Sequence, residues 1–140
     1  MTTHSYYPDD VFIRTSKDLP EDYVFVFGSN YAGRHGAGAA KLASWYFGAV
    51  FGEGEGFGIQ NRSYAIPTKD ERIQTLPLEI ILGHVEIFTA ATHDELHQAK
   101  TFFVTKVGCG LAGYTSEDIA PMFSKTRSCV FPQSWRKFLE

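Results

Sequence analysis

The sequence predicts an α/β protein in which helices cover both faces of a mixed, mainly parallel sheet, giving a three-layer α/β/α sandwich. Segments with strand and helix character alternate along the chain. Residues 23–27 (YVFVF) are apolar throughout, which is typical of a strand buried on both faces. The length of 140 residues, with 44% hydrophobic and 21% charged residues, fits one compact domain. We therefore expect a single domain over residues 1–140, with its core at about residues 10–132.

The first two predicted strands are the apolar runs 11–14 and 23–27, each followed by turn-forming residues. Residues 36–47 are rich in alanine and contain leucine and tryptophan, a composition that favours a closely packed helix. Gly48 is predicted to end this helix, because glycine readily adopts the left-handed conformation that follows many helices.

A glycine-rich segment separates this helix from the next strand. Residues 52–58 (GEGEGFG) predict a mobile loop, and both a lid over the site and a plain flexible connection fit its composition. A short strand over residues 63–66 follows, with Pro67 at its end. From residue 77 to about 91, apolar residues recur every three or four positions, which predicts a helix with one apolar stripe. This stripe consists of Leu78, Ile81, Leu82, Val85 and Phe88.

The last third of the chain completes the alternation. Residues 101–107 predict a strand and residues 108–114 the loop after it. Residues 115–123 begin with a Thr-x-x-Asp capping box and predict a helix, and residues 129–131 predict the last strand. Ligands of such sheets bind beyond the C-terminal ends of the strands, so the loops that follow strands are the candidate site.

Composition and charge exclude several classes of protein. Thirteen Lys and Arg against sixteen Asp and Glu give a net charge of -3, which does not supply the basic field of a general duplex-DNA binder. Residues 1–8 lack the pattern of a signal peptide, and no apolar stretch reaches the ~18 residues of a membrane span. We expect a cytoplasmic protein without a membrane partner. Cys109 and Cys129 lack zinc-ligand spacing, and we expect neither a metal nor a cofactor.

Two glycine-rich loops follow predicted strands: loop one, residues 28–38, and loop two, residues 108–114. Loop two contains G-x-G-x-x-G, but residues 128–132 lack the acidic residue that a Rossmann unit carries about twenty positions later. Loop one lacks the Gly-Lys-Ser/Thr ending of a P-loop. Each loop is suited either to hold phosphate oxygens with backbone N–H groups or to form a tight turn that permits close packing. Their shared sheet edge favours one common anion site.

Four segments together resemble the macrodomain superfamily, most closely its terminal-ADP-ribose-glycohydrolase-like branch. They are Phe27-Gly28-Ser29-Asn30, Arg34-His35-Gly36-Ala37-Gly38-Ala39-Ala40, Tyr64-Ala65-Ile66-Pro67-Thr68-Lys69 and Gly108-Cys109-Gly110-Leu111-Ala112-Gly113-Tyr114. They are also similar to a group of phage and prophage non-structural proteins. The resemblance covers roughly residues 10–132. It implies a three-layer α/β/α sandwich that binds ADP-ribose across the C-terminal ends of its strands.

The resemblance implies that both loops bind the ligand, and it makes a nucleic acid an expected partner only if that nucleic acid is ADP-ribosylated. Within loop one, Arg34 is a better phosphate ligand than His35 because its charge is permanent, unless the pair simply faces solvent. Tyr114, at the end of loop two, is the candidate for stacking on the ligand. The resemblance implies that residues 30–38 lie beside the distal ribose and residues 108–114 around the diphosphate. The candidate ligand-binding residues are Ser29, Asn30, Gly33, Arg34, His35, Gly36, Ala37, Gly38, Gly108, Cys109, Gly110, Leu111, Ala112, Gly113 and Tyr114.

The resemblance also implies a catalytic lysine. Lys69 matches the lysine nucleophile of the hydrolase branch, which must be partly neutral to attack and therefore needs desolvation or a nearby cation. The alternative is a solvated lysine in a charged loop. Ala112 stands where that branch has an aspartate, and Asp118, a capping residue, is the possible substitute acid. Thr15-Ser16 replaces the family's adenine-binding Gly-Asp, so a related nucleotide or phosphoribosyl ligand is also open.

Two further motifs favour structural interpretations. The segment 93–97 (HDELH) places two histidines four residues apart, but no third ligand is evident, which favours a helix end or solvated connection. Cys109 has no predicted base partner and is interpreted as a small packed residue. Three hypotheses follow: binding of ADP-ribose or a related ligand, ADP-ribosyl hydrolysis by Lys69, and a phage-type interaction protein that has lost the ligand site.

Overall fold

One sheet of six strands organises the chain, whose computed structural model describes residues 4–35, 38–49, 58–97 and 99–140. The sheet order is β1-β6-β5-β2-β4-β3, with five strands parallel and β3 antiparallel to β4. The strands are β1 Ser5–Tyr7, β2 Tyr23–Asn30, β3 Gly58–Gln60, β4 Ser63–Lys69, β5 Thr101–Val104 and β6 Cys129–Pro132. The α-helices are α1 Gly38–Tyr46, α2 Leu78–Thr92, α3 Ser116–Ile119 and α4 Arg136–Leu139. The predicted α/β class, with its mixed and mainly parallel sheet, is confirmed.

Two apolar clusters hold the helices against the sheet. Val24 and Val26 of β2 belong to one cluster, whereas Phe25 and Phe27 belong to the other, because side chains alternate along a strand. The first cluster includes Ile81, Val85 and Phe88 of α2 and Ile119 of α3. The second includes Ala43 of α1 and Phe47, whose ring stacks on Phe25 with centroids 4.6 Å apart. Each buried side chain of this size contributes about 1.5–3 kcal/mol.

The strand predicted at residues 11–14 is wrong. These residues lie outside the sheet, and Val11 and Phe12 are exposed, whereas Ile13 packs against the second cluster without pairing to a strand. The strand that precedes β2 in the chain is β1, which was not predicted and lies at one edge of the sheet. Its Tyr7 stacks on Phe103 with ring centroids 4.1 Å apart and donates a hydrogen bond to the carbonyl of Val104. The packed structure also extends beyond residues 10–132, because Trp135 is fully buried and donates to Ser116 Oγ.

Two other boundaries differ from the prediction. Pro67 does not end its strand, because β4 continues to Lys69. Since β3 pairs only with residues 63–65, a proline beyond that point costs β4 no hydrogen bond to β3. Strand β5 ends at Val104, earlier than predicted. The predicted loop at residues 52–58 lies outside the described residues except for Gly58, which begins β3.

The helix predictions agree closely with the structure. Gly48 follows α1 with φ 80°, and a Cβ added there would lie 2.5 Å from the Asn61 Cβ, so this position requires glycine. The predicted stripe on α2 is correct except for Leu82, which is exposed. The capping box of Thr115 and Asp118 is present, and a 3₁₀ turn over Ala120–Phe123 continues α3. Of the helices in the described ranges, none has the length and apolar character to cross a membrane.

Candidate functional site

A cavity of about 570 Å³ lies at the C-terminal ends of β2, β4 and β5, a size typical of small-molecule sites. We call it the anion cavity because cationic side chains line it. The structure brings most of the predicted site residues together there. The predicted residues that line it are Ser29, Asn30, Arg34, Gly38, Lys69, Gly108, Cys109, Gly110, Leu111 and Ala112.

Four predicted loop residues lie away from the lining, and two more fall outside the described ranges. His35 is only 2% exposed and packs edge-on against Phe27, so its ring belongs to the interior. Tyr114 does not line the cavity, because its hydroxyl donates to the carbonyl of Leu76 at 2.6 Å and fixes the end of loop two. Gly33 and Gly113 have φ values of 68° and 88° and shape the loops without lining the cavity. Gly36 and Ala37 lie outside the described residues.

Asp118 is likewise away from the cavity lining. Its Oδ2 accepts hydrogen bonds from the backbone N–H and the hydroxyl of Thr115, at 3.1 and 3.0 Å. This carboxylate therefore completes the N-terminal cap of α3, as its sequence spacing predicts. Both contacts of this oxygen are with Thr115.

Asn30 shapes loop one. Its Nδ2 donates to the carbonyl of Arg34 at 2.8 Å, and its Oδ1 accepts from the Arg34 N–H at 3.0 Å. The N–H of Tyr31 donates to the carbonyl of Lys69, which ties loop one to the end of β4. The Arg34 side chain is exposed, and its guanidinium forms no ion pair with any residue of the described ranges. Arg34 is therefore available to a ligand, whereas the Asn30 amide serves the loop.

Loop two presents free backbone donors. Within it, the N–H groups of Cys109, Gly113 and Tyr114 donate to carbonyls of the same segment. The N–H groups of Gly108, Gly110, Leu111 and Ala112 have no acceptor in the part of the chain that the structure describes. Four open amides within five residues are suited to bind oxyanions.

Three cationic side chains line the anion cavity: Arg34, Lys69 and Lys106. Among the described residues, no carboxylate lines it. Lys106 is held in place by Asp9, whose Oδ2 lies 2.7 Å from Nζ. Burial opposes ionisation of Asp9, but hydrogen bonds from Lys106 and Ser134 outweigh it and lower its pKa to about 2. Lys106 was not predicted as a site residue. Its position between a strand and a glycine-rich loop could have indicated it, because such positions lie at the C-terminal end of the sheet.

Two threonines that the sequence analysis also missed line the same cavity. Thr68 donates its hydroxyl hydrogen to the carbonyl of Ser29 at 3.3 Å, and Thr105 donates to the carbonyl of Val26 at 2.7 Å. These bonds fasten the ends of β4 and β5 to β2. They position the two loops relative to each other.

A tight turn after β4 forms part of the rim. Asp70 Oδ1 accepts from the N–H groups of Arg72 and Gln74, and Thr75 donates its hydroxyl hydrogen to the carbonyl of Ala112. The turn holds Ile73 at φ 64°, an unusual conformation for a β-branched residue. Ile73 lines the cavity, so the strained residue lies at the candidate site.

A second cavity of about 530 Å³, the aromatic cavity, adjoins the first. Phe12 and Trp45 line it and are 72% and 61% exposed, with Arg14 and Lys41 over their rings. The two cavities share Ala39, Thr105 and Lys106. Thr15 and Ser16, which replace the adenine-binding Gly-Asp of the macrodomain family, directly follow Arg14 in the sequence, and Arg14 lines this cavity. The Thr15 side chain, however, caps a 3₁₀ turn over Ser16–Asp18.

The structural interpretations of Cys109 and of residues 93–97 agree with the structure. Burial raises the pKa of the Cys109 thiol, which donates to the carbonyl of Val107. Helix α2 ends at Thr92, and His93 is its C-cap, with Nε2 2.8 Å from the carbonyl oxygen of Lys125. The described residues contain no group of three or more His, Cys, Asp or Glu side chains that could hold a metal ion.

No family model, curated protein sequence or solved structure matches this chain. The chemistry of the two cavities is therefore the basis for assigning a function.

Proposed function

We propose that the chain binds ADP-ribose or a related nucleotide, with the diphosphate in the anion cavity and the base in the aromatic cavity. One observation carries this proposal: a cavity with open amides and cationic side chains is contiguous with a cavity lined by exposed aromatic rings. Nucleotides combine the same two chemical parts, an anionic diphosphate and a flat ring. The resemblance of the loops to macrodomains supports the choice of ADP-ribose.

The anion cavity suits a diphosphate in charge and in hydrogen bonding. Arg34, Lys69 and Lys106 supply positive charge, and Arg34 can pair with two phosphate oxygens because its donors form a fork. The open amides of loop two supply directional donors. Helix α1 directs its N-terminus at the same space, since Gly38, Ala39 and Ala40 line the cavity.

The aromatic cavity suits a nucleobase. Phe12 and Trp45 are exposed aromatic side chains, each with a cation over one side of its ring, and stacking on aromatic rings tolerates any base. Tyr7, Phe25 and Phe103 form a buried aromatic wall that gives the cavity a fixed shape. Lys106 lies where the two cavities meet, at the expected junction of base, ribose and phosphate.

Calorimetric titration with ADP-ribose, ADP and adenosine tests the proposal. We expect both phosphorylated ligands to bind and adenosine, which lacks phosphate, to bind at least tenfold more weakly. Arg34→Gln should lower ADP affinity about tenfold, because it removes a charge-assisted contact. Arg127→Gln is the matched control, since this exposed arginine precedes β6 and so lies at the N-terminal ends of the parallel strands, away from the anion cavity.

Equal binding of adenosine and ADP would contradict the proposed use of the anion cavity. A folded chain that binds none of the three ligands would instead favour the hypothesis of a phage-type interaction protein without a ligand. Thermal melts of each variant establish folding, because a ligand that binds only the native state raises its stability.

Hydrolysis of an ADP-ribosyl bond is the second candidate function, and the position of Lys69 in the anion cavity favours it. Lys69 would act as nucleophile or electrostatic stabiliser, but no carboxylate of the described residues lines this cavity to serve as the acid. Release of ADP-ribose from an ADP-ribosylated substrate, lost in Lys69→Ala and retained in Lys100→Ala, would support it. Binding without any release would leave the chain a binding module.

A further inference from the structure

Two exposed apolar side chains stand at the rim of an otherwise polar and cationic cavity. Ile73 is 39% exposed and Leu111 is 79% exposed, and both line the anion cavity. They lie on different loops, the turn after β4 and loop two. The hydrogen bond from the Thr75 hydroxyl to the Ala112 carbonyl, 3.1 Å long, joins those loops. The rim therefore presents a fixed apolar surface beside an anion site.

Ile73 lies on the side of the anion cavity away from the aromatic cavity. Residues of β1, β2, β5 and β6 contribute to the aromatic cavity, whereas Ile73 follows β4, which contributes none. The residues that the two cavities share include Thr105 and Lys106, which follow β5, and β2 lies between β5 and β4 in the sheet. A diphosphate with a ribose on each side is long enough to connect the aromatic cavity to Ile73.

The backbone of Ile73 adds a second reason to assign the rim a role in binding. A β-branched residue at φ 64° is strained, and residues of this kind are concentrated at binding and catalytic sites. The side chain of Asp70 fixes the turn through two backbone N–H groups, so the strain is built into its fold. A glycine at position 73 would relieve the strain but lose the apolar contact.

We infer that the site prefers an intact dinucleotide whose second ring is uncharged, and that Ile73 and Leu111 contact that ring. This inference rests on the proposed function. An uncharged ring loses little on contact with apolar side chains, whereas a cationic ring would face Arg34 and Lys69 in the same cavity. The absence of a lining carboxylate among the described residues fits a ligand that is held and not cleaved.

NADH, NAD⁺ and ADP-ribose are the probes. NADH and ADP-ribose carry the same diphosphate, and only NADH has an uncharged second ring. Burying roughly 55 Å² of apolar ring surface corresponds to about tenfold in affinity, so NADH should bind about tenfold more tightly than ADP-ribose. NAD⁺, whose ring is cationic, should bind more weakly than NADH.

The variant Ile73→Ser/Leu111→Ser should reduce the ratio of NADH to ADP-ribose affinity to about one, because it removes the apolar contact that only NADH makes. Ile87→Ser is the matched control, because this exposed isoleucine of α2 lies outside both cavity linings and should leave the ratio intact. NADH affinity equal to or below that of ADP-ribose, or a ratio unchanged in the double variant, would overturn this inference alone. Failure of all three ligands to bind a folded chain would overturn the proposed function as well.

Discussion

Replacing Asp9 by asparagine tests how firmly Lys106 is held between the two cavities. The variant keeps an oxygen for the Ser134 N–H, which Asp9 Oδ1 accepts at 2.8 Å, but it removes the charge that faces Lys106. The folded-state pKa of Asp9 is about 2 against an ordinary value of 3.8. For a fully shielded carboxyl this difference corresponds to about 2.4 kcal/mol. The side chains of Lys106 and Asp9 are 46% and 31% exposed, so screening reduces the expected loss to roughly 1 kcal/mol.

The sign of the pH dependence follows from the lowered pKa. Asp9 stabilises the fold fully above the unfolded-state pKa near 4, and this contribution is lost as the pH falls toward 2. Urea denaturation at pH 7 and at pH 2.5 should therefore show Asp9→Asn to be destabilised at the higher pH and closer to the wild type at the lower. Asp10→Asn is the control, because Asp10 forms no ion pair in the described part of the chain. Equal effects of the two substitutions at pH 7 would refute this account of the ion pair.

Three further predictions concern stability and thiol reactivity. Gly48→Ala should lower the free energy of unfolding by about 1–3 kcal/mol, because the position has φ 80° and no room for a Cβ. Gly83→Ala on α2 should raise the free energy of unfolding by up to about 1 kcal/mol, because a Cβ there meets open space. Urea denaturation measures both, and the same sign for both would contradict the prediction. Thr115→Ala should cost about 1 kcal/mol through loss of the α3 cap, which Thr115→Ser should largely restore. Cys129 is buried with its pKa raised by desolvation to about 12, so a thiol reagent should modify it more slowly than half-buried Cys109; faster modification of Cys129 would contradict its burial.

The sequence predicts those parts of the fold that local patterns determine. The run at residues 23–27 is apolar on both faces because β2 has strands on both sides and a cluster on each face. The stripe on α2 and the capping box at Thr115 are also local patterns, and the structure contains both. The apolar run at residues 11–14 was wrongly predicted as a strand, because a strand forms only where a distant segment pairs with it. The tyrosines of β1 obtain that pairing from β6.

Those parts of the candidate site that follow a strand in sequence are predictable. Those whose position depends on contacts between distant segments are not. Three residues separate the end of β5 from loop two, so the glycines of the loop lie near the C-terminal ends of the strands as expected. Ile73 reaches the cavity only because the turn after β4 folds back, as the hydrogen bond from Leu76 N–H to the Thr68 carbonyl shows. His35 and Tyr114 have ligand-binding character in sequence, but a nearby aromatic ring and a nearby carbonyl engage them.

In the proposed function, the open amides of loop two receive the phosphates of a nucleotide. Backbone amide NMR spectra recorded during a titration with ADP-ribose report on these N–H groups one by one. We expect the resonances of Gly108, Gly110, Leu111 and Ala112 to shift together with one common dissociation constant, while those of α4 stay in place. Saturable binding that leaves these four resonances unmoved would contradict this role of loop two.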